Sequence, residues 1–182
     1  MINNYEATNS STSEAFRPAP SSKAMSNDDV ISTLNGLIQT CVDGEEGFRT
    51  AAEAVEASDT KTFFYENSQE RVRFAGALQE LVRSLGGNPE HTGTFTGAIH
   101  RGWMDLKAAI AGNDQRDVLS ECERGEDSAK KEYRNALDEP LPTNVKRIVQ
   151  TQYDSILRTH DRVRGLRDQS VHTASNTTDT GF

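Results

Sequence analysis

Two short segments of the chain carry the same set of reactive side chains. Cys41-Val-Asp-Gly-Glu45-Glu46 and Cys122-Glu-Arg-Gly-Glu126-Asp127 both read Cys-x-x-Gly-Glu. Four residues separate thiol from carboxylate, which stacks them one turn apart on one face of a helix. Arg71 interrupts the stripe of the second helix and His160 that of the fourth. Two chemistries follow. In the first, Glu45 and Arg71 form a buried ion pair, and Glu126 and His160 a second, hydrogen-bonded pair. Glu45 and Arg71 each lie roughly 20 Å from the turn between them at about 1.5 Å per residue, whereas His160 is several residues further from its turn than Glu126. A buried ion pair fixes register more than it adds stability, because desolvation consumes much of the attraction. In the second, Cys41 and Cys122 join Glu45, Glu126 and His160 in a mononuclear site for zinc or another thiophilic metal. The first is preferred, since a free cysteine on an apolar stripe is ordinarily a small core residue.

These residues need helices to position them, and the pattern predicts four. The first runs from a cap at Ser26 or Asn27 to about Ala57, with Ile31, Leu34, Ile38, Cys41, Glu45, Phe48, Ala52 and Val55 inward at alternating steps of three and four. The second starts after Ser58 or Asp59 and ends at Gly86-Gly87; its stripe is Phe64, Asn67, Arg71, Phe74, Leu78, Leu81 and Leu85. The third spans about Asp114 to Leu137 with Leu119, Cys122, Glu126, Ala129, Tyr133 and Ala136 inward. The fourth spans about Pro142 to Asp168 with Val149, Tyr153, Ile156, His160 and Val163. Short turns make antiparallel neighbours of helices one and two and of three and four. The connection from Asn88 to Asn113 is long and carries an amphipathic segment with Ile99, Trp103, Leu106 and Ile110. Two hairpins joined by one long crossover is an all-α, antiparallel four-helix bundle of ferritin-like connectivity. Gly44 and Gly125, each costing about 1 kcal/mol relative to Ala in a helix interior, are expected to allow close helix approach. Tyr133 is expected to hydrogen-bond within the bundle.

The expected organisation is a disordered tail over 1–26, the bundle over 27–168 and a second disordered tail over 169–182, both tails being polar and lacking an apolar period. Met25 precedes the first helix and is an alternative translation start, which N-terminal sequencing would settle. A chain of 182 residues with 34% hydrophobic residues builds one domain. Its net charge of -8 repels phosphate backbones and anionic headgroups, so neither nucleic acid nor membrane partners are expected. The first residues lack a charged and apolar leader pattern, which points to the cytoplasm, and two cysteines build no disulfide framework. His91, His100 and His172 show no ligand spacing and are expected to be solvated; Trp103 is expected to pack. No nucleophile motif, Walker loop or dinucleotide fingerprint is present.

Leu119-Ser-Glu-Cys-Glu-Arg-Gly-Glu-Asp-Ser-Ala-Lys-Lys-Glu-Tyr-Arg-Asn-Ala136 resembles the third helix of bacterioferritins, with Glu126 at a ligand position, and Met104-Asp-Leu-Lys-Ala-Ala-Ile-Ala-Gly112 is similar to a rubrerythrin segment. The stretch from about Ser26 to Gln169 more closely resembles a bacterial ferritin-like family catalogued as a domain of unknown function, family 2383. The residues that carry it are Asp43-Gly-Glu-Glu-Gly-Phe-Arg49, His100-Arg-Gly-Trp103 and Glu121-Cys-Glu-Arg-Gly-Glu-Asp127. The di-iron bundles take a Glu from each of two helices and Glu-x-x-His from each of the others. Here Arg71-Val-Arg-Phe74 replaces one Glu-x-x-His, and Leu157-Arg-Thr-His160 keeps only the histidine of the other. What the resemblance implies is a degenerate di-iron site retaining Glu45, Glu126 and His160. No ferroxidase or peroxidase activity and no cofactor are expected. The expected role is a non-enzymatic structural or interaction protein, stress-associated and homo-oligomeric; the alternative is a metal-binding or redox protein holding zinc or iron in a partial site.

Overall fold

A computed structural model describes residues 25–89, 105–112 and 114–177, with side chains to residue 170. The N-terminal tail to residue 24, His91, Ile99, His100, Trp103, the His172 side chain and residues 178–182 fall outside that description. Helix α1 (Asn27–Ala54) opens at Ser26, whose hydroxyl accepts from the Asp29 N–H at 3.2 Å, and Asp28 and Asp29 set negative charge on the first turn. Both devices satisfy or complement the free N–H groups of a helix start. Helix α2 (Ser58–Ser84) follows after three residues. It has no side-chain cap: Ala57 holds the cap position, and Asp59 lies in the first turn.

The end of α2 is specified in detail. Gly86 takes φ +83, its N–H donates to the Arg83 carbonyl, and the Gly87 N–H donates to the Val82 carbonyl. This pair of bonds is the Schellman arrangement that glycine at the left-handed position permits. Beyond it, Gly87 lies so near Ile31 that a Cβ there would stand 2.8 Å from the Ile31 Cδ1. The crossover contributes a short helix α3 (105–111), whose Leu106 is buried and whose Ile110 packs on the bundle. Helix α4 (Gln115–Asp138) is capped by the Asp114 carboxylate, which accepts from the Arg116 N–H at 2.8 Å. After the Pro140-Leu141-Pro142 turn, α5 (Thr143–Thr177) runs well past the expected end at Asp168. Neither Gly nor Pro follows Gly165 until Gly181, so no backbone device stops the helix where the apolar stripe stops.

Helix α1 packs along α2 and α4, and α5 packs along α4 and, sparsely, along α2. The diagonal pair α2 and α4 nowhere brings Cα atoms within 8 Å. Hydrogen bonds from Ser155 to Glu70 and from Thr159 to Asn67 show that α5 runs antiparallel to α2. The apolar core is in two parts. One joins Val30–Cys41 of α1 with Ala75, Leu78 and Val82 of α2, Ala129–Ala136 of α4, and Val145, Val149 and Ile156 of α5. The other joins Phe48–Val55, Phe64, Leu106, Val118–Cys122 and Val163. Each fully buried aliphatic or aromatic side chain contributes about 1.5–3 kcal/mol. What lies between the two clusters is polar.

Candidate functional site: a polar layer across the bundle

Every helix of the bundle supplies a break in its apolar stripe at the same height: Gly44 between Cys41 and Phe48, Asn67 to Arg71 between Phe64 and Ala75, Glu126 between Cys122 and Ala129, Thr159 and His160 between Ile156 and Val163. Arg71 and Glu126 form its centre. Their side chains are 2% and 3% exposed, and Arg71 Nη2 donates to both Glu126 oxygens at 2.8 Å. This ion pair bridges the diagonal of the bundle. Burial pushes the Glu126 carboxyl above its ordinary value, and the charge and hydrogen bond of Arg71 pull against that shift. The Arg71 guanidinium carbon lies 5.7 Å from the ring centroids of both Phe48 and Phe74, within cation–π range.

The expected pairing of Glu45 with Arg71 is therefore corrected. Glu45 is half-buried at the rim, where Arg49 Nε approaches it at 3.5 Å. Gly44 and Glu45, three and four residues beyond Cys41, compete for the inward place, and here the glycine takes it, whereas in the matching segment Glu126 rather than Gly125 is buried. Gly44 faces the arginine: a Cβ there would stand 3.3 Å from Arg71 Cδ and 3.4 Å from Cγ and Nε. A second carboxylate in that place would leave the layer with net negative charge in a dry core, a cost that one arginine does not offset. The glycine expectation is corrected in the same way. Gly44 admits an arginine stem rather than a neighbouring backbone, and a Cβ at Gly125 would meet nothing within 4 Å.

His160 does not hydrogen-bond Glu126. Its Nδ1 lies 3.1 Å from Asp161 Oδ1, and its Nε2 lies 3.1 Å from both Lys130 Nζ and Asp127 Oδ1. Lys130 and Asp127 on α4 and Asp161 on its own helix thus surround the ring. Its charge when protonated is still felt at Glu126. The thiols differ in surroundings as well as in helix. Cys41 Sγ lies 3.1 Å from the Tyr133 hydroxyl, which donates to Gln152 Oε1 at 2.8 Å; Gln152 Nε2 donates to the Phe74 carbonyl at 3.2 Å. That chain links α1, α4, α5 and α2 in turn, and the expected internal bond of Tyr133 is one of its steps. Cys122 sits in the second apolar cluster. Burial pushes the Cys41 thiol up to about 11 and Cys122 further still, so both remain protonated.

Asn67 and Thr159 take part in the layer, whereas Gln152, between Val149 and Ile156, is buried within the first apolar cluster; Gln152 and Thr159 stand off the expected stripes. Thr159 donates to Asn67 Oδ1 at 2.7 Å, and Asn67 Nδ2 donates to the Phe63 carbonyl at 2.8 Å. Polar residues on a buried arc leave no apolar signal, and only Asn67, spaced seven from Phe74, was visible. Outside this pair, α2 and α5 leave a groove of about 510 Å3 lined by Glu66, Glu70, Arg73, Ser155 and Arg158. Here Ser155 donates to Glu70.

The donor set does not fit a metal ion. Both Glu126 oxygens are engaged by Arg71, the guanidinium fills the middle of the layer, Phe74 offers no ligand atom, and among the described residues no three His, Cys, Asp or Glu side chains converge.

A solved structure of a Dps1 mutant from Mycobacterium smegmatis is similar to this chain at TM-score 0.63 and 13% identity, over 78% of this chain and 96% of that one. At that identity the likeness shows the fold, which is ferritin-like. No curated protein matches the sequence. The family model described as a domain of unknown function, DUF2383, matches residues 29–139, from the first turn of α1 to the end of α4. On that match over more than half its length, the chain belongs to the DUF2383 family.

Proposed function

We propose that this protein is a non-enzymatic, ferritin-like structural or interaction protein whose polar layer is a degenerate di-iron site retained as a structural device. The observation that carries this reading is the engagement of both Glu126 oxygens by Arg71, the two side chains being 2% and 3% exposed. A carboxylate held this way is unavailable as ligand, base or nucleophile. The test is elemental analysis of untagged protein purified without added metal, alongside Glu45→Ala and Glu126→Ala. Metal well below stoichiometric in the wild type, with Glu126→Ala losing stability, supports the structural role. Near-stoichiometric metal in the wild type that vanishes in both variants establishes the metal-binding or redox alternative instead.

Self-association belongs to the same reading. Among the described residues, the exposed large apolar side chains are Val42 of α1 and Tyr65 and Val72 of α2, and a second copy packed on the α1–α2 hairpin would cover them. Light scattering on size-fractionated protein should report at least a dimer; a monomer at all concentrations removes this part of the proposal. No described helix is long and apolar enough to cross a membrane. A cytoplasmic, stress-associated setting is proposed as well, and cell fractionation with transcript measurement under oxidant and starvation tests it.

A further inference from the structure

We infer that the layer contains a cradle shaped for a planar guanidinium, in which Arg71 serves as the core's built-in cation. The inference deepens the structural reading of Glu126 and rests on it. Three features define the cradle. Gly44 leaves the floor open, since any Cβ there would press on the arginine stem at 3.3–3.4 Å. Phe48 and Phe74 each present a ring 5.7 Å from the guanidinium carbon. Glu126, reaching across from the diagonal helix, closes the end with two oxygens at 2.8 Å from one nitrogen.

The chemistry of this cradle selects among cations. Arg71 Nε and Nη1 are buried and have no hydrogen-bond partner among the described residues. The cradle therefore binds by one charge-assisted contact and two aromatic faces, without a full set of acceptors. A guanidinium is planar, delocalised and weakly hydrated, so it tolerates such surroundings and stacks on rings. An ammonium ion is compact and strongly hydrated, and would lose most of its water for a single carboxylate. A divalent metal finds no set of three His, Cys, Asp or Glu side chains among the described residues. The preference order is guanidinium over ammonium over metal.

The experiment is chemical rescue. Arg71→Ala removes the guanidinium and leaves a space the size of N-ethylguanidinium beside Glu126. Millimolar N-ethylguanidinium should raise the unfolding midpoint of this variant saturably, with propylammonium, zinc and manganese producing smaller or no shifts. The double variant Arg71→Ala/Glu126→Gln, which no longer buries a lone carboxylate, should fold and show no such response. Arg71→Lys should remain less stable than the wild type. If Arg71→Ala fails to fold alone, the yield of refolded protein with and without each cation replaces the midpoint as readout. Equal rescue by propylammonium, rescue by a metal, an equal response in the double variant, or no rescue at all overturns the inference. These results are separate from the metal content of the wild type, on which the function reading stands or falls.

Discussion

Glu45 and Glu126 occupy matching places in the two Cys-x-x-Gly-Glu segments, yet one is at the rim and the other is 3% exposed. Their replacement should separate them cleanly. Glu126→Ala strands the Arg71 charge in the core and should cost about 3–5 kcal/mol, whereas Glu45→Ala removes a surface pairing with Arg49 and should cost less than about 1 kcal/mol. Urea unfolding measures both. The thiols allow a second prediction at this scale. Because burial raises Cys41 from 9.0 to about 11 and Cys122 in the same direction, neither should react with a disulfide reagent at pH 8 until the protein unfolds. The unfolded chain ionises its thiols first as pH rises. The stability these groups contribute is thus fully present below about pH 9 and declines as pH climbs toward and through 11, at up to about 1.4 kcal/mol per unit for each thiol. Tyr133, also pushed up by burial, adds to the same trend.

At the scale of elements, helix propensity and local space give opposite predictions for two glycines that look equivalent in sequence. Gly125→Ala meets nothing within 4 Å, so it should gain most of the propensity difference and stabilise the protein by up to about 1 kcal/mol. Gly44→Ala carries the same intrinsic gain but presses on the Arg71 stem at 3.3 Å; buried on every side, that stem has little room to move. A net loss of stability is expected, and thermal unfolding of the two variants side by side checks the difference in sign. The boundaries of α1, α2 and α4 were legible to within a few residues, because Ser26, Gly86-Gly87, Asp114 and Pro140 act locally. The end of α5 was not, since polarity marks the edge of the core and does not stop a helix.

At the scale of the molecule, the layer divides one core into two apolar clusters and spans the diagonal that backbones leave open. Its value lies in specifying which faces meet, more than in net stability. Replacing both partners, as Arg71→Met with Glu126→Leu, should leave stability unchanged or raised while broadening the amide spectrum as alternative packings become accessible. A single sharp set of resonances in that variant would remove the register role.

The sequence alone determined the number of helices, the long crossover and the inward face of α4, where Leu119, Cys122, Glu126, Ala129, Tyr133 and Ala136 are all buried as expected. Periodicity carries that information because each helix buries one stripe whatever it packs against. Only the tertiary structure decided which carboxylate met Arg71, whether Gly44 or Glu45 turned inward, that Ala75 and Val82 took central places on α2 while Phe74 and Leu81 stood half-buried, and that Gln152 joined Cys41 and Tyr133. Those outcomes depend on the rotation of each helix about its axis, which shifts side chains by less than one step of the stripe and is set by volume and charge contributed from the other helices.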